Sequence, residues 1–113
     1  MNPCIFNRAI VRPPSASCVH GLRARDVGAP DFATFVNQHD RYKAALRDQG
    51  LEIAELQALE AFPDSVFVED VALCLPQGAV LLRPGTPSRA GEVEASRDDL
   101  ARIYANRLHS LQE

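Results

Sequence analysis

An α/β fold of the mixed, α+β kind is predicted by three observations. Short apolar runs with a period near two alternate with two segments whose apolar residues recur every three or four positions. A Pro-Gln-Gly stretch joins two of the short runs as a tight turn, so at least one strand pair is antiparallel and the sheet is not purely parallel. The resulting order is β-α-β followed by β-β-α-β, with no sequence identity between the halves beyond that element order. The chain has 113 residues, 46% hydrophobic and 24% charged, which suits one modest soluble domain over 1–113.

The first strand is expected at 5–12. In "IFNRAIVR", Ile5, Ala9 and Val11 share one face and Phe6 and Ile10 the other, and Pro13 and Pro14 end the run. The stretch 13–30, "PPSASCVHGLRARDVGAP", exceeds the ~12–15 residues of an ordinary connection, which marks it as a functional loop. A helix follows at 31–49: Phe32, Phe35, Val36, His39, Tyr42, Ala45 and Leu46 form its apolar stripe, Asp31 is its N-cap or first-turn acid, and Gly50 is its left-handed terminator. "LEIAEL" is read as a strand at 51–56. "SVFVEDVALCL" and "AVLLRP" make a hairpin over 65–83. A second helix is expected at 89–104 with Ser88 as its cap and Val93, Leu100, Ile103 and Tyr104 inward, and "RLHSLQE" begins a closing strand at 107–112.

Composition excludes several functions. The formal charge is −3 and no basic block stands out, against a general nucleic-acid footprint. Residues 1–25 carry Arg8, Arg12, Arg23 and Arg25 without an acid, as a transit peptide does, but "CIFNRAIVRP" reads as a strand. The longest apolar stretches, such as "GAVLL", fall far short of the run of about 20 that spans a bilayer, so no membrane span is expected. Cys4, Cys18 and Cys74 form no even-numbered framework and no CxxC pair, which favours reduced thiols and a cytoplasmic location.

The segment "FPDSVFVEDVALC", 62–74, places Asp64, Glu69 and Asp70 in and beside one of the most strand-like runs of the chain. Alternation along a strand would send Glu69 and Asp70 to opposite faces unless a bulge or the strand's end lies there. A buried carboxylate is costly and recruits a cation: an internal Arg, a metal or a cationic ligand. A planar guanidinium matches carboxylate geometry best, and a metal is less persuasive because no His lies nearby in sequence. Spacing alone favours a plainer reading, in which Asp64 caps a turn beside Pro63, Glu69 is solvated, and Asp70 pairs with a local Arg.

"FPDSVFVEDVALC", followed by "RPGTPSRAGEVE" and preceded by "AIVRPPSASCVHGL", resembles the N-terminal part of the dimethylarginine dimethylaminohydrolases, members of the guanidino-modifying pentein superfamily. The resemblance runs from about residue 5 to the C-terminus. It implies about two ββαβ-type blades of a five-bladed α/β propeller, truncated. It also implies substrate-binding roles for five residues. Glu69 and Asp70 match the acidic pair at the guanidinium end, and Asp64 matches a further substrate-contacting aspartate. Arg89 matches an arginine that pairs with the substrate α-carboxylate, and Leu22 a loop position whose backbone helps hold the α-amino end. The implied reaction is hydrolysis of N-methylated arginine to citrulline and an alkylamine through a cysteine nucleophile, with no cofactor and no metal. That cysteine and the family's catalytic histidine lie in later blades, so the chain is expected to be a fragment inactive alone, prone to self-association or to pairing with the missing C-terminal half. The alternative is a small non-catalytic α+β module that binds a cationic amino acid or a partner chain.

Other candidates have plainer readings. Cys18 and His20 share a loop without a third group to orient them as a nucleophile pair. His39 lies on the apolar face of the first helix and reads as a core or boundary residue, and Cys74 as a small buried hydrophobe. Glu92 and Glu94 suit a helix N-terminus through the macrodipole. Arg89 has a plain reading too, as the salt-bridge partner of Glu92 or Glu94.

Overall fold

Parallel strands need a crossover of a dozen or more residues, and the chain supplies one twice. In the computed structural model, which describes residues 6–25 and 27–111, the fold divides into two compact units, Met1–Val66 and Phe67–Glu113, where the sequence suggests one domain. Ile5 and Gln112, at the outer ends of the first and last predicted strands, lie outside the described residues, as does Cys4.

In the first unit, β1 (Arg8–Val11) pairs in parallel with β2 (Glu52–Glu55), in the register Arg8↔Glu52 to Val11↔Glu55. The helix α1 (Phe32–Asp48) makes the crossover. Asp31 caps it, its carboxylate accepting from the Thr34 N–H at 3.2 Å and from the Thr34 hydroxyl. Gly50, at φ +87°, ends it: the Gly50 N–H donates to Arg47 O at 2.9 Å and the Leu51 N–H to Leu46 O at 3.2 Å, the paired bonds of a Schellman motif. Phe32, Phe35, Val36 and Leu46 are half-buried and His39 is buried, but Tyr42 and Ala45 are exposed. A helix turns about 100° per residue, so position 43 lies closer to the line of His39 than position 42 does. Lys43 accordingly takes that place, with its ammonium 3.0 Å from Glu55 of β2 and 3.1 Å from Asp40.

The predicted long strand at 65–75 is mostly absent. Residues 63–66 form turns, Val68–Asp70 is a single 3-10 turn, and β3 is only Ala72–Leu75. The backbone closes on itself there: Ser65 N–H donates to Phe62 O at 3.0 Å, Asp70 N–H to Phe67 O at 3.2 Å and Val71 N–H to Val68 O at 3.1 Å. These groups are satisfied locally rather than by a ladder. Glu69 and Asp70 therefore precede a strand, and strand alternation does not govern them.

In the second unit, β3 pairs antiparallel with β4 (Gly78–Leu81) across the turn at Pro76 and Gln77, and β4 pairs in parallel with β5 (Leu108–Ser110), giving the order β3-β4-β5. The helix α2 (Glu92–Ile103) makes this second crossover. The central β4 is the best buried, with Ala79 at 0% and Leu81 at 1% exposure, while Leu100 is the buried apolar residue of α2. Cys74 of β3, expected to be buried, is exposed on this edge strand. Ser88 is not the helix cap. It lies in a 3-10 turn, Pro87–Arg89, and α2 starts after Gly91.

Candidate functional site

The long loop of the first unit leaves β1 at Arg12, whose guanidinium is buried and donates to Gln57 O. After Pro13 and Pro14 comes a 3-10 turn, Ala16–His20, whose first amides have no partner within so short a helix. Glu60 supplies one: its carboxylate accepts from Ala16 N–H at 3.1 Å and Ser17 N–H at 3.3 Å. Gly21 N–H closes the turn on Cys18 O at 3.0 Å.

The next amide, that of Leu22, donates to both oxygens of Asp64, at 3.1 and 3.2 Å. Asp64 is buried and the Leu22 side chain is exposed, so it is the Leu22 backbone that meets Asp64. Close approach requires glycine beside it: a Cβ on Gly21 would lie 2.6 Å from Asp64 Oδ1. Two of the five candidate residues, Leu22 and Asp64, are thus joined within this unit. Cys18 is not an activated thiol, since burial and then the Glu60 charge push its pKa up.

In the second unit Asp70 and Arg89 are joined. The Arg89 side chain is 10% exposed and its guanidinium has three partners. Nε and Nη2 donate to the two oxygens of Glu92 at 2.7 and 2.9 Å, Nη2 also donates to Phe67 O at 2.9 Å, and Nη1 donates to Asp70 Oδ2 at 2.5 Å. The side-on bidentate contact with Glu92 fixes the guanidinium plane. Glu92, then desolvation in opposition, then Asp70 set the Arg89 pKa, and the net effect raises it. One guanidinium facing two carboxylates leaves the cluster net negative, and Glu69 adds a third carboxylate, exposed like that of Asp70, on the same 3-10 turn.

The pairing of Asp70 with a local arginine, favoured by spacing, is therefore present, and the arginine is Arg89. Both plain readings of Arg89 and Asp70 describe the same cluster. Of the two partners expected for Arg89, Glu92 is the one that pairs with it, and it is 1% exposed, where a macrodipole role needs only a solvated charge. The signal was its i,i+3 spacing from Arg89. Among the described residues there is no group of three or more His, Cys, Asp or Glu that could hold a metal ion. Among them also, no helix is long and apolar enough to cross a membrane.

No family profile matches the chain. It is 39% identical over 108 residues to the N(G),N(G)-dimethylarginine dimethylaminohydrolase of Pseudomonas aeruginosa, covering 96% of this chain and 42% of that protein. It is 34% identical over 97 residues to the protein of the same name from Streptomyces coelicolor, covering 85% and 38%. A solved structure of the Pseudomonas aeruginosa enzyme in a variant form complexed with citrulline superimposes with a TM-score of 0.90 at 39% identity, over 96% of this chain and 42% of that one. Unliganded AgrE superimposes with a TM-score of 0.78 at 18% identity over 91% of this chain and 15% of that one, a likeness of fold alone. The chain spans about two-fifths of the length of the curated relatives it matches, at 42% and 38%.

Proposed function

We propose that this chain, a homologue of dimethylarginine dimethylaminohydrolases over 96% of its length, provides substrate-binding groups of a hydrolase that acts on the guanidino group of N-methylated arginine. The observation that carries the reading is the Asp70 carboxylate. Arg89 orients it through one oxygen, its side chain is 54% exposed, and it sits in a net-negative cluster suited to a delocalised cation.

In this reading Glu69 and Asp70 receive the guanidinium, Asp64 is a further substrate contact, and the Leu22 backbone serves the amino-acid end. Arg89 has five N–H groups, four of which are used within the second unit. One N–H on Nη1 is left among the described residues, so Arg89 offers a substrate carboxylate one bond rather than a fork. In the whole enzyme a cysteine thiolate attacks the guanidinium carbon, the alkylamine leaves, and water releases citrulline. The raised Cys18 pKa and the buried state of that thiol support assigning the chemistry elsewhere, so the 113 residues alone should not turn over substrate. The free thiols Cys18 and Cys74 support a reducing, cytoplasmic setting.

The order β3-β4-α2-β5 supports the blade-like ββαβ reading of the second unit. Its edge strand β3 exposes Leu73 at 53% and Leu75 at 45%, which supports an association role with another chain segment or copy. Titration calorimetry of the folded chain with asymmetric dimethylarginine and with citrulline tests the reading. Citrulline has the same length but a neutral ureido group, so loss of charge-assisted bonds should weaken it about tenfold or more. Equal affinity for both, or no affinity for either in a folded chain, would sink the proposal.

A further inference from the structure

We infer that Glu92 is a positioning residue, which fixes the guanidinium of Arg89 and, through it, the carboxylate of Asp70 in the orientation that meets a guanidino ligand. The ligand half of this inference rests on the proposed function. The latch itself rests on geometry within the second unit.

Asp70 lies on a three-residue 3-10 turn with a half-exposed side chain, so its own surroundings do little to choose a rotamer. What holds it is Arg89 Nη1, at 2.5 Å from Oδ2. Arg89 in turn is aimed by three contacts: both oxygens of Glu92 on the Nε–Nη2 edge, and Phe67 O, which belongs to the residue preceding that same turn. The guanidinium therefore pins both ends of the Phe67–Asp70 turn to the first residue of α2.

Glu92 is suited to anchor this chain of contacts. It is 1% exposed, and the Ser96 hydroxyl donates to its carbonyl at 2.7 Å, tying its backbone to the next turn of the helix. A buried carboxylate is stable only when paired, so Glu92 holds Arg89 in one place, and the rigid fork fixes the direction of Nη1. A lysine at 89 would keep the charge but lose the plane. Arg97 and Glu94 of α2, likewise three apart, form an exposed pair at 2.9 Å that serves as an internal control.

The test uses the 113-residue chain, two readouts and asymmetric dimethylarginine as the probe. The first readout is proton exchange of arginine Nε–H groups by NMR, which needs no ligand. In the wild type the Arg89 Nε–H should exchange at least about tenfold more slowly than that of Arg97, because its bond is buried. Glu92→Gln should abolish this difference, while Asp70→Asn should preserve it. The second readout is affinity. Glu92→Gln and Asp70→Asn should each weaken dimethylarginine about tenfold, and the double variant should be no weaker than either alone, since both changes break one unit. Glu94→Gln should leave affinity unchanged. Should Glu92→Gln fail to fold, Arg89→Lys gives the same expectation for affinity.

Unprotected Arg89 in the wild type, an affinity unmoved by Glu92→Gln or Arg89→Lys, or independent multiplication of the two effects would overturn the inference. A protected Arg89 in a folded chain that does not bind dimethylarginine would overturn the guanidino reading and leave the Glu92–Arg89 latch standing.

Discussion

Gly21→Ala is the most informative single substitution in the first unit, because its effect has two opposed parts whose sizes differ. Gly21 has φ −67° and ψ 165°, an extended conformation that alanine adopts without strain. At such a position the smaller freedom of the unfolded chain alone would stabilise alanine by about 0.4–1 kcal/mol. Against this, the new Cβ would lie 2.6 Å from Asp64 Oδ1 and 3.1 Å from Cys18 O. The carbonyl is held by the Gly21 amide, so the short, buried Asp64 side chain has to move and give up the Leu22 N–H. Losing a hydrogen bond to a charged group costs about 1.5–3 kcal/mol. The difference is a net destabilisation of about 0.5–2.5 kcal/mol, with both terms taken from these ranges. Urea unfolding of wild type, Gly21→Ala, Asp64→Ala and the double variant measures it. The Gly21→Ala penalty should shrink or reverse in the Asp64→Ala background, where the obstructing oxygen is gone. A Gly21→Ala chain as stable as wild type, or the same penalty in both backgrounds, would refute the close-approach argument.

Three further outcomes are expected. His39 is buried and its Nδ1 has no hydrogen-bond partner among the described residues. Burial first, then Lys43, lowers its pKa, with Glu55 and Asp40 opposing. Its folded pKa is below the unfolded value, so its stabilisation is complete above about pH 6.5 and is lost as pH falls through the depressed folded value. His39→Leu should flatten that part of the urea-midpoint profile. Gly50→Ala, at φ +87° with no atom within 4 Å of the added Cβ, should cost about 1 kcal/mol in urea unfolding purely through the left-handed backbone. Lys43→Met should cost less than about 1 kcal/mol, and the loss should diminish in high salt, because Glu55 in the pair is 38% exposed.

The elements with local signals were legible in the sequence. Asp31 and Gly50 mark the ends of α1 because capping and left-handed termination depend on single side chains, and the Pro-Gln turn marks the β3–β4 hairpin. The segment 65–71 was misread because Val66, Phe67 and Val68 have high strand propensity, whereas the conformation there is decided by 3-10 bonds and by Arg89 reaching back to Phe67 O from 22 residues away. Likewise the Tyr42 and Lys43 exchange follows from a one-position difference in helical phase. Leu22 and Asp64, 42 residues apart, meet through a backbone amide, and no side-chain pattern announces such a bond. Glu92 looked like an ordinary first-turn acid because burial is a tertiary property. The acidic block at 62–70 stands out in the residues themselves, and the structure adds the Arg89 contact that orients Asp70.

Glu69 and Asp70 are proposed to present their carboxylates to a guanidinium. Amide NMR of the folded chain during a dimethylarginine titration tests this most directly. Saturable shifts are expected at Glu69, Asp70 and Val71 with one common midpoint, which should rise about tenfold or more when citrulline replaces dimethylarginine and about tenfold in Asp70→Asn. Dimethylarginine that leaves these three amides unmoved in a folded chain, or that moves them with the same midpoint in Asp70→Asn, would contradict it.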